Sequence, residues 1–80
     1  MSLASQEKVI GMKQSRKAIR EGRARRVYIA CDADPAITEP VAESCAAAGI
    51  PVETGCTMSQ LGHACSITVG AAVVAVTSES

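Results

Sequence analysis

A row of cationic side chains with helical spacing is the part of this sequence best suited to act on another molecule. Lys13, Lys17 and Arg20 are spaced i, i+4 and i+7, and Arg16 lies beside them. On a helix these four residues form one contiguous cationic ridge. Like charges at this spacing cost an isolated helix about a few tenths of a kcal/mol, and a purely structural helix would more naturally alternate them with glutamate. The cationic ridge therefore predicts a face that binds a polyanion.

Charge is also segregated along the chain, although the formal net charge of the protein is zero. All eight Lys and Arg residues lie between Lys8 and Arg26, so residues 1–26 carry a net charge of +6 and residues 27–80 carry −6. This asymmetry favours a basic surface directed at a polyanion, with an acidic remainder that leaves it uncovered. The alternative is a solvated helix that forms ion pairs with the acidic half.

The cysteines and the histidine are the candidate metal ligands or redox groups. Cys31, Cys45, Cys56 and Cys65 include no Cys-x-x-Cys pair, and His63 stands near only Cys65. Structural zinc sites usually use ligand pairs about two to four residues apart, whereas free cysteine is among the most often buried residues. The pattern predicts reduced core thiols, with no metal and no other cofactor. A zinc or thiol-redox module is a less favoured alternative.

Asp32 and Asp34 could form an acid–base pair or hold Mg²⁺, but aspartates at a strand-to-helix turn more often accept hydrogen bonds from nearby backbone amides. The sequence contains no Ser-His-Asp order, nucleophile elbow or Walker glycine pattern. We therefore predict no catalytic residue and no enzymatic activity.

The composition predicts one small domain over residues 1–80, with a core of small aliphatic side chains. Apolar residues make up 48%, with 14 Ala and 8 Val against a single aromatic, Tyr28. The longest apolar run has six residues, too short for a membrane span of about 20, and the first residues lack signal-peptide character. These features predict a cytoplasmic protein without membrane contact, and a monomer because no exposed apolar patch is evident.

Helices and strands alternate along the chain, which predicts an α/β fold: a three-layer α-β-α sandwich with a small mixed four-stranded sheet. In the helix after Gly11 we expect Ser15, Ala18 and Ile19 to face inward. The predicted helices are 12–21, 38–48 and 58–65, with a short one over 5–9, and the predicted strands are 9–10, 27–31, 52–54 and 71–76. Thr38 is expected to cap the second helix with Pro40 in its first turn, and the Thr-Met-Ser-Gln pattern at 57–60 predicts a capping box at the start of the third. Residues 77–80 are expected to be a frayed tail.

The class of polyanion can be narrowed from the residue types. A single tyrosine in a buried strand cannot form the aromatic platform on which single-stranded bases stack. A helix also cannot enter the narrow major groove of regular A-form RNA. The remaining candidate polyanion is a distorted RNA duplex, which the electropositive start of a helix would contact. There Lys13 and Gln14 can donate to guanine edges and Lys17 can hold a phosphate.

Four segments, in this order, resemble the ribosomal protein superfamily that binds kink-turn RNA (the L-seven-Ae and L-thirty-e type), and most closely its small bacterial branch. Together they cover nearly the whole chain. The segments are Gly-Met-Lys-Gln-Ser-Arg-Lys at 11–17, Ile-Ala-Cys-Asp-Ala-Asp-Pro at 29–35, Ala-Gly-Ile-Pro-Val at 48–52, and Leu-Gly-His-Ala-Cys-Ser-Ile-Thr-Val-Gly-Ala-Ala at 61–72.

The resemblance implies an α-β-α sandwich that grips tandem sheared G·A pairs in a sharply bent RNA. Gly11 would let the RNA backbone approach, Lys13 and Gln14 would read guanine edges, and Lys17 would hold a phosphate. Asp32 would orient neighbouring contacts or cap the turn. The loop before the last strand would pack against a flipped-out nucleotide through Ile67, Thr68 and Val69.

Four positions depart from the family pattern. Met12 replaces a threonine whose hydroxyl could contact a phosphate or cap the helix. Gln14 replaces the glutamate of archaeal relatives and hydrogen-bonds a guanine edge less strongly because it is neutral. Cys31 stands at an often basic position, and Ser66 at one that is often glycine. These departures bear on affinity more than on the identity of the site.

The sequence thus predicts a non-catalytic protein that binds structured RNA containing a kink-turn, associated with the ribosome. Arg20 and the other basic residues of 16–26 would add salt-sensitive attraction to phosphates. The alternative is a protein-interaction module of the same fold that docks on an acidic partner, and the departures at Met12 and Cys31 favour it.

Overall fold

In a computed structural model of the protein, residues 7–78 are described, and they form a four-stranded sheet with three helices. The chain order is β1 (Glu7–Ile10), α1 (Met12–Arg20), β2 (Arg26–Ile29), α2 (Pro35–Ala48), β3 (Val52–Glu53), α3 (Met58–Ala64) and β4 (Val73–Ser78).

The sheet has the strand order β1-β4-β2-β3 and is mixed. Strand β4 pairs antiparallel with both β1 and β2, whereas β3 joins β2 in parallel. Strand β4 lies inside the sheet, and both of its faces are covered by other parts of the protein. It therefore begins with four consecutive buried aliphatic residues, Val73 to Val76, because a strand packed on both sides has a continuous apolar sequence.

Helices cover both faces of the sheet, which confirms the predicted three-layer α-β-α sandwich. Because successive strand side chains point to opposite faces, Val73 and Ala75 pack in the layer with α1 and α2, and Val74 and Val76 pack in the layer with α3. The α1–α2 layer also contains Ala18, Ile19, Val41 and Cys45, and the α3 layer contains Leu61, Ala64 and Cys65.

Helix α1 buries the residues predicted from its spacing, Ser15, Ala18 and Ile19. The small Ser15 and Ala18 side chains let the helix lie close to the sheet. The Ser15 hydroxyl is fully buried and finds no hydrogen-bond partner among the described residues. Inward packing of this stripe turns the opposite face of α1, which carries the cationic ridge, to solvent.

The predicted start of α2 at Thr38 is wrong. The helix begins at Pro35, with Asp34 as its N-cap, and the Asp34 carboxylate accepts a hydrogen bond of 2.9 Å from the Ala36 amide. Proline suits the first helical position because its missing N–H would have no partner there. Pro40 consequently lies inside the helix, not in its first turn.

The ends of the chain also differ from the sequence-based prediction. Glu7–Val9 is part of β1, not of a short helix, and Ser5 and Gln6 lie outside the described residues. Thr77 and Ser78 are not frayed, because β4 runs from Val73 to Ser78 and Glu7 pairs with Ser78. Glu79 and Ser80 lie outside the described residues. No helix within residues 7–78 has the length and apolar character needed to span a bilayer.

Cys31 was expected in a core strand, and this is wrong as well. Strand β2 ends at Ile29, and Cys31 is exposed at the turn that follows. The apolar run of the sequence continues past the strand because Ala30 still belongs to the core: its amide donates to the Ala72 carbonyl at 2.8 Å, and its side chain is buried.

Candidate nucleic-acid interface

The junction between β1 and α1 is a tight corner at Gly11. This residue has φ 103° and ψ 155°, a region that is almost closed to other amino acids. Its amide donates to the Val73 carbonyl at 2.8 Å, and its carbonyl accepts from the Ser15 amide at 3.0 Å. Gly11 therefore ties the start of α1 to the start of β4.

The start of α1 is open to an external acceptor. No side chain caps it, and the first amides of a helix have no carbonyl partner within the helix. The amides of Met12, Lys13 and Gln14 thus remain available as donors at the positive end of the helix dipole. The side chains of Lys13 and Gln14 are exposed, whereas Met12 is half-buried against the α1–α2 core.

The cationic ridge is exposed and carries no ion pair among residues 7–78. The salt bridges to the acidic residues of that range lie elsewhere: Arg23 with Glu21 at 2.8 Å and Arg26 with Glu53 at 3.8 Å. Among the described residues, the acidic half of the chain therefore does not neutralise the cationic ridge of α1. Lys17 and Arg20 also place positive charge in the last turn of α1, where the helix dipole favours it.

The loop 66–70 is fixed at its base and exposed at its tip. The Ile67 amide donates to the Gly62 carbonyl at 3.0 Å, and the Ala71 amide donates to the Met58 carbonyl at 3.1 Å. A Cβ added at Gly62 would collide with the Val69 carbonyl, so the loop packs directly on the α3 backbone. Ser66 adopts a positive φ of 61°, a conformation that explains why glycine suits this position.

The three predicted contact residues of this loop have different environments. Ile67 is half-buried and packs against the α3 core, Thr68 is exposed, and Val69 is 68% exposed. An exposed valine at the tip of a fixed loop is suited to pack against an apolar face of a ligand. Ile67 is suited mainly to support the loop.

Asp32 holds the start of α3. Its carboxylate accepts a hydrogen bond of 2.8 Å from the Met58 amide, 26 residues away. Thr57 and Gln60 complete this helix start with reciprocal capping bonds, as the sequence predicted. Of the two roles that the resemblance left open for Asp32, capping is thus observed, but on α3 and not on its own turn. Asp32 also borders a groove of about 560 Å³ with loop 66–70 and His63.

The fold brings residues 11–14, Asp32 and loop 66–70 to one end of the sheet, whereas Lys17 and Arg20 extend along α1 toward its other end. Strand β1 ends beside Gly11, strand β4 begins at Val73, and the two are joined by the Gly11–Val73 hydrogen bond. Gly70 is at most about 11 Å along the chain from Val73. The open start of α1 and the loop 66–70 therefore flank the same end of the sheet.

Three residues that border this region were not predicted from the sequence to belong to the RNA site, although His63 was considered there as a metal ligand. The Met58 amide anchors Asp32, Gly62 seats loop 66–70, and exposed His63 lines the groove. Gly62 stands inside a predicted helix, where glycine is unfavourable, and this was a signal that something packs closely there. The roles of Met58 and His63 depend on long-range contacts and left no local signal.

The thiols differ in environment. Cys45 and Cys65 are buried, and burial raises the pKa of both thiols, while nearby Lys8 partly lowers the pKa of Cys65. Cys31 is exposed and Cys56 is half-buried. Within residues 7–78, no three His, Cys, Asp or Glu side chains form a group able to hold a metal ion.

Iodoacetamide at pH 8 is expected to label Cys31 first and Cys56 next, with Cys45 and Cys65 reacting only on unfolding, because alkylation requires an accessible thiolate. Peptide mass spectrometry over a time course measures the order. Labelling in urea, where all four thiols should react at similar rates, is the control. Native labelling of Cys45 as fast as Cys31 would contradict the assigned packing.

Comparison with known proteins matches residues 2–80 to the Ribosomal protein L7Ae/L30e/S12e/Gadd45 family. The chain belongs to this family. Similar family relatives include the RNA-binding protein YbxF of Geobacillus stearothermophilus, 47% identical over 68 residues, which are 85% of this chain and 83% of the relative. An RNA-binding protein of Bacillus pumilus is 39% identical over 72 residues, 90% of this chain and 88% of the relative.

Solved structures share the fold. The Giardia lamblia 15.5kD RNA binding protein superposes with a TM-score of 0.85 at 28% identity, covering 91% of this chain, and this chain spans 62% of that larger protein. A Bacillus halodurans protein of unknown function has a TM-score of 0.83 at 24% identity, with 89% and 71% of the two chains covered. The family membership expected from the four sequence segments is thus confirmed.

Proposed function

We propose that this family member is a non-catalytic RNA-binding protein that recognises a kink-turn through tandem sheared G·A pairs. The observation that carries the proposal is the open, positively polarised start of α1, with exposed Lys13 and Gln14, at the same end of the sheet as the exposed tip of loop 66–70. Relatives that share 39–47% of their residues with this chain bear the name RNA-binding protein.

In this mechanism the start of α1 enters the groove that the bend opens. Lys13 and Gln14 donate to the guanine edges, and Lys17 holds a phosphate. Gly11 lets the RNA backbone approach because it has no side chain and no atoms crowd the position where a Cβ would stand. Asp32 acts indirectly, because its bond to Met58 fixes the α3 start that carries one side of the groove.

Loop 66–70 covers the nucleotide that the bend extrudes. Val69 supplies the exposed apolar contact and Thr68 a hydroxyl, while Ile67 anchors the loop to the core. We further propose that the protein acts as a cytoplasmic monomer associated with the ribosome, as the family's ribosomal members suggest.

A direct test compares binding of one kink-turn RNA with a version in which the sheared G·A pairs are replaced by Watson–Crick pairs. We expect at least about a 100-fold loss of affinity, since several base-edge contacts are lost and each contributes about 1–3 kcal/mol of discrimination. Gel-shift titration at fixed salt measures it. Equal affinity for the two RNAs would refute kink-turn recognition.

A further inference from the structure

A second groove, of about 650 Å³, lies between α1 and α2, next to the cationic ridge. On the α1 side it is bordered by Lys13, Arg16 and Arg20. On the α2 side it is bordered by small residues, Ser44, Ala47 and Ala48. The walls are therefore asymmetric: the α1 wall carries three long cationic side chains beside apolar Met12 and Ile19, whereas the α2 wall carries side chains of one or two heavy atoms.

The positive charge of this groove is uncompensated by the parts of the protein that border it. None of its three basic residues forms an ion pair among residues 7–78, and no acidic side chain lines it. Adjacent uncompensated cations repel each other. An anion with several charges in a row would relieve this repulsion, so charge complementarity points to a polyanion.

The groove is continuous with the proposed RNA site because Lys13 borders both. Around the helix axis, Arg16 lies on the α2 side of Lys13, and Gln14 lies on the opposite side. With a rise of about 1.5 Å per residue, Arg20 lies about 10 Å beyond Lys13 along α1. This length can face on the order of three successive phosphates of one strand.

We propose that the α1–α2 groove is a second RNA-contact surface, which holds the phosphate backbone of one stem of the RNA beyond the G·A pairs. The inference rests on the proposed function. Arg16 and Arg20 bind phosphates, for which the forked guanidinium is well suited. The small Ser44, Ala47 and Ala48 side chains let the sugar–phosphate backbone lie close to α2.

The continuity with the G·A site favours RNA over an acidic protein as the occupant. A bound kink-turn already brings its stems to Lys13, so phosphates beyond the bend reach Arg16 and Arg20 without a separate binding event. The stem concerned lies toward the C-terminal end of α1. It is the stem directed away from loop 66–70, because that loop flanks the opposite end of α1.

The test uses the double variant Arg16→Gln/Arg20→Gln and three RNAs: a full-length kink-turn and two versions, each with a different stem shortened to two base pairs beyond the bend. Glutamine keeps helix propensity and side-chain length while removing both charges. On the full-length RNA we expect about a fivefold to tenfold loss of affinity and a salt dependence lower by roughly one to two phosphate contacts. When the stem directed away from loop 66–70 is shortened, the loss of affinity caused by Arg16→Gln/Arg20→Gln should fall to less than about twofold.

Arg23→Gln/Arg25→Gln is the matched control, because it removes two exposed cations that do not line the groove. Because these two arginines contribute only general attraction to phosphates, their loss should weaken binding to all three RNAs by the same small factor, with no dependence on the length of either stem. A loss for Arg16→Gln/Arg20→Gln that is independent of both stem lengths would overturn the proposal, as it would indicate general attraction only.

The same titrations separate this proposal from the function on which it rests. Insensitivity of the unmodified protein to G·A replacement would refute kink-turn recognition itself. Retained G·A sensitivity without any dependence on stem length would refute only the second surface. The second surface would also be refuted if Arg16→Gln/Arg20→Gln kept its full affinity for RNA. If that variant also lost binding to polyglutamate, the groove would be assigned to an acidic protein.

Discussion

Lys13→Ala/Gln14→Ala is expected to lower the affinity for a kink-turn RNA by about 100-fold. Each side chain is proposed to donate to a guanine edge, and a base-edge contact contributes about 1–3 kcal/mol, so losing two costs about 3 kcal/mol. Both side chains are exposed, and alanine is the best helix former, so α1 should persist. Fluorescence anisotropy titration at fixed salt measures the change, and circular dichroism checks the helix content.

A straight duplex of the same length and charge is the control RNA for this variant. Its affinity should fall only a few-fold, since the variant removes one positive charge and no base contact is made there. Lys17→Ala is the comparison protein: it should weaken both RNAs similarly and lower the salt slope by about one. If the double variant lost affinity for both RNAs equally, Lys13 and Gln14 would be general electrostatic contacts.

Gly11→Ala is expected to lower the free energy of unfolding by about 2 kcal/mol, which corresponds to about 10 °C in Tm for a domain of this size. The space around Gly11 is open, so the cost comes from its φ of 103° and not from a collision. A residue with a Cβ would shift the backbone toward negative φ. This shift would weaken the 2.8 Å hydrogen bond from the Gly11 amide to Val73 and tilt the start of α1.

Gly55→Ala provides the matched control for that substitution. Gly55 also has open space around its Cβ position, but its φ is outside the left-handed region, so alanine there should change stability by less than about 0.5 kcal/mol. Thermal and urea unfolding of the two variants give the comparison. Equal stability of Gly11→Ala and the unmodified protein would show that the corner between β1 and α1 relaxes without cost. The proposed need for glycine there would then be wrong.

Local chemistry determined several features of the fold. The Thr-Met-Ser-Gln pattern at 57–60 predicted two reciprocal capping bonds, and the structure contains both. The inward face of α1 followed from the spacing of Ser15, Ala18 and Ile19, because a helix places such residues on one side whatever the rest of the chain does. The same periodicity fixed the cationic ridge on the opposite side.

Errors arose where two local signals competed. Asp34 and Pro35 suit a turn and a helix start equally well, and packing of Val41 and Cys45 against the sheet selected the longer helix despite Pro40. The limits of β4 were misplaced because the apolar run begins at Ala71 and Ala72, before the strand starts, whereas pairing with β1 carries the strand to polar Ser78. Strand limits depend on partners that a local pattern does not contain.

The sequence by itself determined the α/β class, the charge segregation, the cationic face of α1 and the four segments that indicated the family. These depend on residue type and on spacing within one element. Only the tertiary structure decided that Asp32 caps α3, that Gly62 seats the loop at Val69, and that α2 closes a groove beside Arg16. Each of these joins residues well separated along the chain, and it forms only when the sheet brings the ends of different elements together.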